Sequence, residues 1–161
     1  MTGRICGTGS AVPKLRVTND DLSKIMDTSD EWIKSRTGIE ARHLATEETT
    51  TSLAIEASRL ALENAGVEAE ELDLIIAATV SSDHIIPTLS CEVQSALGAV
   101  NATAFDIGAA CSGFLFALST VQAYMMSGQC KKALILGAEV LSKIMDWNDR
   151  STCVLFGDGA G

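Results

Sequence analysis

At 161 residues the chain is the size of one ordinary domain, long enough to bury about two-thirds of its unfolded surface around a single core. Its composition, 47% hydrophobic and 20% charged with two prolines, is that of a soluble globular protein and excludes disorder or a disulfide-stapled scaffold. A formal net charge of -9 argues against nucleic acid or anionic membrane as a partner, because both need a positive field.

The charge is uneven. Residues 47–73 hold eight Asp or Glu opposed only by Arg59, whereas residues 1–46 hold seven Lys or Arg against six acids, so a phosphate site belongs in the first segment. Five cysteines, odd in number and without a CxxC pair, argue against a disulfide framework and a zinc site and fit the reduced thiols of a cytoplasm. No signal pattern opens the chain and its longest apolar stretch is broken by Ser, Thr and Gln, which points to neither export nor a membrane span.

In chain order, the apolar run over residues 4–12 predicts a first strand ending at Pro13. Gly7-x-Gly9 within it lacks the third glycine of a nucleotide fingerprint and predicts close backbone packing instead. Residues 17–50 are polar, with short helical patches at Asn19–Met26 and Ser29–Ser35, an elaboration of the kind that carries function. Leu53, Ala57, Leu60 and Ala61 recur at helical spacing up to Gly66, a good C-terminal stop. Leu74–Val80 is continuously apolar, as a strand buried on both faces must be. Thr88 is placed to cap a helix over Leu89–Leu97, and Thr103–Ile107 follows as a strand. A helix from about Cys111 to Ser127 is apolar on nearly every side, which predicts burial all round. Ala133–Ala138 and Thr152–Phe156 complete a predicted α/β sheet with right-handed crossovers. The chain closes on a glycine-rich turn with no element after it, which suggests a chain cut inside a larger fold.

Cys111 stands apart from the other cysteines by its position. Ligands of open α/β sheets bind beyond the carboxyl ends of the strands, where Phe105-Asp-Ile-Gly-Ala-Ala-Cys111 delivers a thiol. A helix N-terminus beside the sulfur favours the thiolate, the nucleophilic form. Gly108 and Gly113 leave space for a substrate. Cys6, Cys91, Cys130 and Cys153 read as core cysteines. The two histidines, His43 and His84, supply no assured base, and no orienting carboxylate stands at a recognisable spacing from His84.

Three segments together resemble the β-ketoacyl-acyl-carrier-protein synthase III family of condensing enzymes. They are Asp27-Thr-Ser-Asp-Glu-Trp-Ile-Lys-Ser-Arg-Thr-Gly-Ile39, Ala104-Phe-Asp-Ile-Gly-Ala-Ala-Cys-Ser-Gly-Phe114 and Asp146-Trp-Asn-Asp-Arg-Ser-Thr-Cys-Val-Leu-Phe-Gly-Asp-Gly-Ala-Gly161. The resemblance implies one half of a thiolase-like α/β fold, a five-stranded mixed sheet with helices on its faces, with residues 1–161 as the N-terminal half. It implies Cys111 as the acyl-accepting nucleophile, while the family's catalytic histidine and asparagine belong to a second half absent from this chain. Trp32 and Arg150 match residues that sandwich the adenine of coenzyme A, Thr28 lies beside it, Arg36 matches a phosphate contact, and Ile86 falls in a loop that shapes the acyl pocket across a homodimer. Trp147 reads as packing. The implied reaction is acyl transfer from acetyl or short acyl coenzyme A, then decarboxylative condensation with malonyl-acyl-carrier protein, with the coenzyme A thioester as substrate and neither cofactor nor metal. Two other readings share these residues: a different thiolase-fold acyltransferase, and a non-catalytic half-domain that binds coenzyme A or assembles with a partner chain.

Overall fold

The computed structural model describes residues 3–161. The chain runs β1 (Leu15–Thr18), α1 (Asn19–Leu22), α2 (Asp30–Thr37), β2 (Ala41–Leu44), α3 (Thr50–Ala65), β3 (Leu74–Ala78), α4 (Leu89–Leu97), β4 (Thr103–Ile107), α5 (Gly113–Met126), β5 (Ala133–Val140), α6 (Arg150–Cys153) and β6 (Asp158–Ala160). The main sheet has the order β4-β3-β5-β6, with β3 parallel to both neighbours and β6 antiparallel to β5. β3 has a strand on either side and helices on both faces. All five of its residues are buried, which is why no polar residue interrupts it.

Side chains alternate along β3. Ile75 and Ala77 meet Leu53 and Ala57 of α3 and Leu89 and Val93 of α4, whereas Leu74 and Ile76 meet Ala117 and Val121 of α5. The single core expected from length is thus split by the sheet into two clusters. A third, of Leu22, Ile33, Cys153 and Val154, lies beneath the segment between β1 and β2. β1 and β2 pair antiparallel, Leu15 opposite Leu44, and close off the polar excursion that carries α1 and α2.

The sheet differs from the expected five strands in two places. Residues 4–12 form no strand: Ala11 alone makes an isolated bridge, to Ala160. The cause is the glycine pair, since a Cβ on Gly7 would lie 2.5 Å from the Ala65 nitrogen and one on Gly9 would collide with Ala57 and Ala61 backbone. This segment is laid flat on α3, the close packing that Gly7-x-Gly9 predicts, and Cys6 faces outward rather than into a core. Cys91 is only half-buried, while Cys130 and Cys153 are buried as expected. At the other end, Thr152–Phe156 is not a strand. Asp149 accepts from the Ser151 N–H (2.9 Å) and opens α6, and β6 is made from the glycine-rich turn itself.

Two helix expectations also change. Thr88 sits at the start of α4 but makes no capping bond. Asp106 of β4 caps α4 instead, accepting from the N–H groups of Leu89 (2.9 Å) and Ser90 (2.8 Å). α5 is buried only along Gly113, Ala117 and Val121, the stripe that meets the sheet. Phe114, Leu115, Phe116 and Leu118 are exposed, because no element among the described residues covers the far side of α5.

Candidate active site

Chain direction and topology bring the carboxyl ends of β3, β4 and β5 to one edge. β4 ends at Ile107, and the chain turns through Gly108 and Ala109 into a 3₁₀ turn, Ala110–Ser112, that leads into α5. Ala110 adopts φ 45, a left-handed conformation that costs an alanine about 1–2 kcal/mol. The strained corner turns the next residue, Cys111, outward, and its side chain is exposed. Gly113 does not make room for substrate. A Cβ there would lie 3.0 Å from that of Ala78, so its absence lets α5 begin against β3.

Cys111 borders a cleft of about 290 Å³ lined also by Ala78, Phe114, Gly137, Glu139 and Gly161. Glu139 was not singled out by its sequence position, although an acid directly after the apolar run Ala133–Ala138 is a usable signal. Its carboxylate accepts from the Val80 N–H (2.9 Å), the Thr79 hydroxyl (3.4 Å) and the Ser81 hydroxyl. These bonds fix the start of the loop that carries Ile86. Ile86 itself is 85% exposed beside Ile85 at 91%, so two large apolar side chains stand in solvent.

Neither histidine lines the cleft. His43 Nδ1 lies 2.6 Å from the Pro13 carbonyl and must carry the proton there. His84 does have an orienting carboxylate, contrary to expectation: Glu92 Oε1 is 2.8 Å from Nδ1, and Glu92 Oε2 accepts from the Thr51 hydroxyl at 2.7 Å. The link was hidden because it crosses from a loop to the first turn of α4.

A second group assembles around Trp32. Ser29 caps α2 by accepting from the Trp32 N–H (3.1 Å), and Gly38, in a left-handed conformation, ends the helix. Arg36, one turn on, sets its guanidinium carbon 4.5 Å from the Trp32 ring centroid. Arg150, from α6, sets its own at 5.1 Å and also bonds the Asp27 backbone and carboxylate. The Thr28 hydroxyl is buried without a hydrogen-bond partner among the described residues. Thr28, Trp32, Arg36 and Arg150 therefore come together, in a group that shares no lining residue with the Cys111 cleft. Trp147 packs against the third cluster and donates to the Ser142 carbonyl (3.3 Å).

The chain as a whole has counterparts among known proteins. The family model for 3-oxoacyl-[acyl-carrier-protein] synthase III matches residues 105–161, the segment that holds Cys111 and Arg150. A beta-ketoacyl-[acyl-carrier-protein] synthase III of Clostridium acetobutylicum is 55% identical over 157 residues, which cover 98% of this chain and 48% of the relative. Over nearly its whole length the chain is similar to about half of a beta-ketoacyl-[acyl-carrier-protein] synthase III. Its fold agrees: the crystal structure of the synthase III of Aquifex aeolicus superposes with a TM-score of 0.96 at 54% identity, over 98% of this chain and 51% of that one. A priming beta-ketosynthase of a polyketide pathway superposes at 0.94 with 40% identity, over 98% of this chain and 47% of its own. The α/β architecture is thus the thiolase-like one, with four strands where five were expected. The chain spans about half the length of the curated relatives it matches. No helix among its described residues is long and apolar enough to cross a membrane.

Proposed function

We propose that this chain carries the acyl-accepting half of an initiating condensing enzyme of type II fatty acid synthesis. The observation that carries the reading is the strained corner at Ala110, which presents the Cys111 thiol at the mouth of a cleft on the carboxyl edge of the sheet. The Cys111 thiolate attacks the carbonyl carbon of acetyl or a short acyl coenzyme A, and the Cys111 N–H is the natural donor to the oxyanion. The carbon–sulfur bond to coenzyme A then breaks, coenzyme A leaves as the thiolate and takes up a proton from solvent, and the acyl group stays on Cys111. In the second half-reaction malonyl-acyl-carrier protein loses carbon dioxide, the electron pair left behind attacks the acyl carbon, and the Cys111 thiolate is released. That step draws on a histidine and an asparagine of a second half, which we propose packs over the exposed side of α5.

Coenzyme A enters as substrate, with no resident cofactor. Its adenine stacks on Trp32, its phosphates meet Arg36, and Thr28 offers the adenine edge a hydroxyl that has no partner among the described residues. A ring held between Trp32 and Arg150 needs roughly 7 Å, twice the contact distance of stacked atoms, so Arg150 swings out from its 5.1 Å position as the nucleotide enters. The exposed Ile85–Ile86 pair suits a contact across a homodimer that shapes the acyl pocket. The setting is the cytoplasm. Neither nucleic acid nor membrane is a partner, and no metal takes part.

The test is mass spectrometry of the protein after acetyl coenzyme A, in this chain and in the same chain completed by a second half. Acetylation that disappears in Cys111→Ala supports the reading, and labelling that persists at another residue contradicts it. This chain alone forms no acetoacetyl product; turnover by it would return attention to His84 and Glu92. The likeness to a priming polyketide synthase favours one second reading, the same first step with a different acceptor.

A further inference from the structure

The proposed nucleotide clamp has two jaws from distant parts of the chain, α2 with Trp32 and Arg36, and α6 with Arg150. One buried polar bridge joins them. Asn19, the first residue of α1, is fully buried, and Arg42 of β2 is 5% exposed. Arg42 Nη2 donates to Asn19 Oδ1 (2.9 Å) and to the Val154 carbonyl (3.1 Å). Asn19 Nδ2 donates to Asp30 Oδ1 (2.8 Å) and to the Ile39 carbonyl (2.7 Å). Asp30 opens α2 and Ile39 follows its glycine cap, so Asn19 grips both ends of the helix that bears Trp32. Val154 closes α6, so Arg42 holds the helix that Arg150 begins. Leu22 and Ile33, neighbours of the bridge in α1 and α2, and Cys153 and Val154 form the third buried cluster.

The bridge is an expensive way to fill a core. Burial pushes the Arg42 pKa down, and its Nε and Nη1 have no partner among the described residues. An apolar side chain of similar volume fills such a site at lower cost. What the directional bonds add is one fixed spacing between α2 and α6, with both N–H groups and the oxygen of the Asn19 amide engaged.

We infer that Arg42 and Asn19 are positioning residues for the coenzyme A nucleotide, setting the distance between the Trp32–Arg36 jaw and Arg150. The inference rests on the coenzyme A reading above. It accounts for a polar bridge in the third cluster, where burial alone would favour hydrocarbon.

The experiment uses two acyl donors and follows Cys111 acetylation in this chain. Acetyl coenzyme A engages the clamp, while acetyl-pantetheine carries the same thioester without the nucleotide. Arg42→Met keeps the volume and removes the bonds; Asp30→Ala cuts one link at the half-exposed rim and leaves the core intact. In each variant the acetyl coenzyme A concentration for half-maximal labelling rises about tenfold, while labelling by acetyl-pantetheine changes by less than about twofold. A general packing defect would slow both donors alike, and that result overturns the inference, as does an unchanged response to acetyl coenzyme A in both variants. Should Arg42→Met not fold, Asp30→Ala decides. A wild-type chain that shows no preference for acetyl coenzyme A over acetyl-pantetheine overturns the coenzyme A reading and the inference with it, and is told apart because no variant is involved.

Discussion

Replacing Asp106 by alanine removes the carboxylate that caps α4 from the neighbouring strand. Its two oxygens accept from Leu89 N at 2.9 Å and Ser90 N at 2.8 Å, and both of those residues are fully buried, so water cannot take the place of the lost acceptors. A buried donor left unpaired costs about 1–3 kcal/mol, and removing a negative charge from a helix N-terminus about 0.3–1 kcal/mol more. The terms overlap, since one carboxylate makes all of them and its own desolvation cost disappears with it. The expected loss is about 2–4 kcal/mol, or a Tm lower by roughly 4–16 °C at this chain length. Thr88→Ala is the matched control. Among the described residues its hydroxyl meets only Ser90 Oγ (3.1 Å) and Cys91 Sγ (3.2 Å), so its removal costs under about 0.5 kcal/mol. Urea denaturation followed by circular dichroism measures both. Equal losses, or a loss below about 1 kcal/mol for Asp106→Ala, would refute the assignment of the cap to β4.

Other consequences are equally direct. Gly9→Ala drives a methyl group into the Ala57–Ala61 backbone of α3 and lifts the segment that bridges Ala160; denaturant unfolding should show a loss of about 1–3 kcal/mol, and a neutral result would contradict the close packing. Asp83 is 18% exposed, and although burial raises its pKa, the Lys143 ammonium and the Thr51 N–H and hydroxyl outweigh that and hold it at about 2. Its folded value is below the unfolded one, so its contribution is present above its ordinary value of 3.8 and is lost as pH falls through about 2. Asp83→Asn should therefore flatten the decline of stability with falling pH in that window, and an unchanged profile would contradict the pairing. Trp32→Ala and Arg150→Ala each weaken coenzyme A binding about tenfold by calorimetry; full affinity in either would remove that residue from the clamp.

What was legible in the sequence follows from how far each signal reaches. The helices at Thr50–Ala65 and Leu89–Leu97 and the buried strand Leu74–Ala78 could be read because periodicity and glycine stops act within a few residues. The second half of the sheet could not. Thr152–Phe156 is β-prone in isolation, but Asp149 caps it into a helical turn and Cys153 and Val154 are needed in the third cluster. Asp158–Ala160 is poor in strand formers and becomes a strand through long-range pairing. Asp158 is anchored there by Ala45 N (2.7 Å) and Ser142 N (2.9 Å).

The site divides in the same way. Cys111 was visible as a strand-to-helix corner, whereas the strain at Ala110 that presents it was not, since alanine gives no sign of a positive φ. Trp32 and Arg150 were joined only by resemblance, because no local pattern links a helix near one end of the chain to a helix near the other. Asn19 and Arg42 were invisible for a further reason. An arginine in a short strand and an asparagine after a capping threonine both look like surface residues, and only the fold shows that both are buried and bonded to each other. The exposed side of α5 was misread because an all-round apolar helix predicts burial without saying by what.

The central claim is that Cys111 takes the acyl group, and peptide-resolved mass spectrometry after exposure to acetyl coenzyme A tests it most directly. The account predicts a single acetyl group on the peptide containing Cys111, absent in Cys111→Ala and retained in Cys91→Ala. Acetylation at another cysteine, or equal labelling in Cys111→Ala, would contradict it.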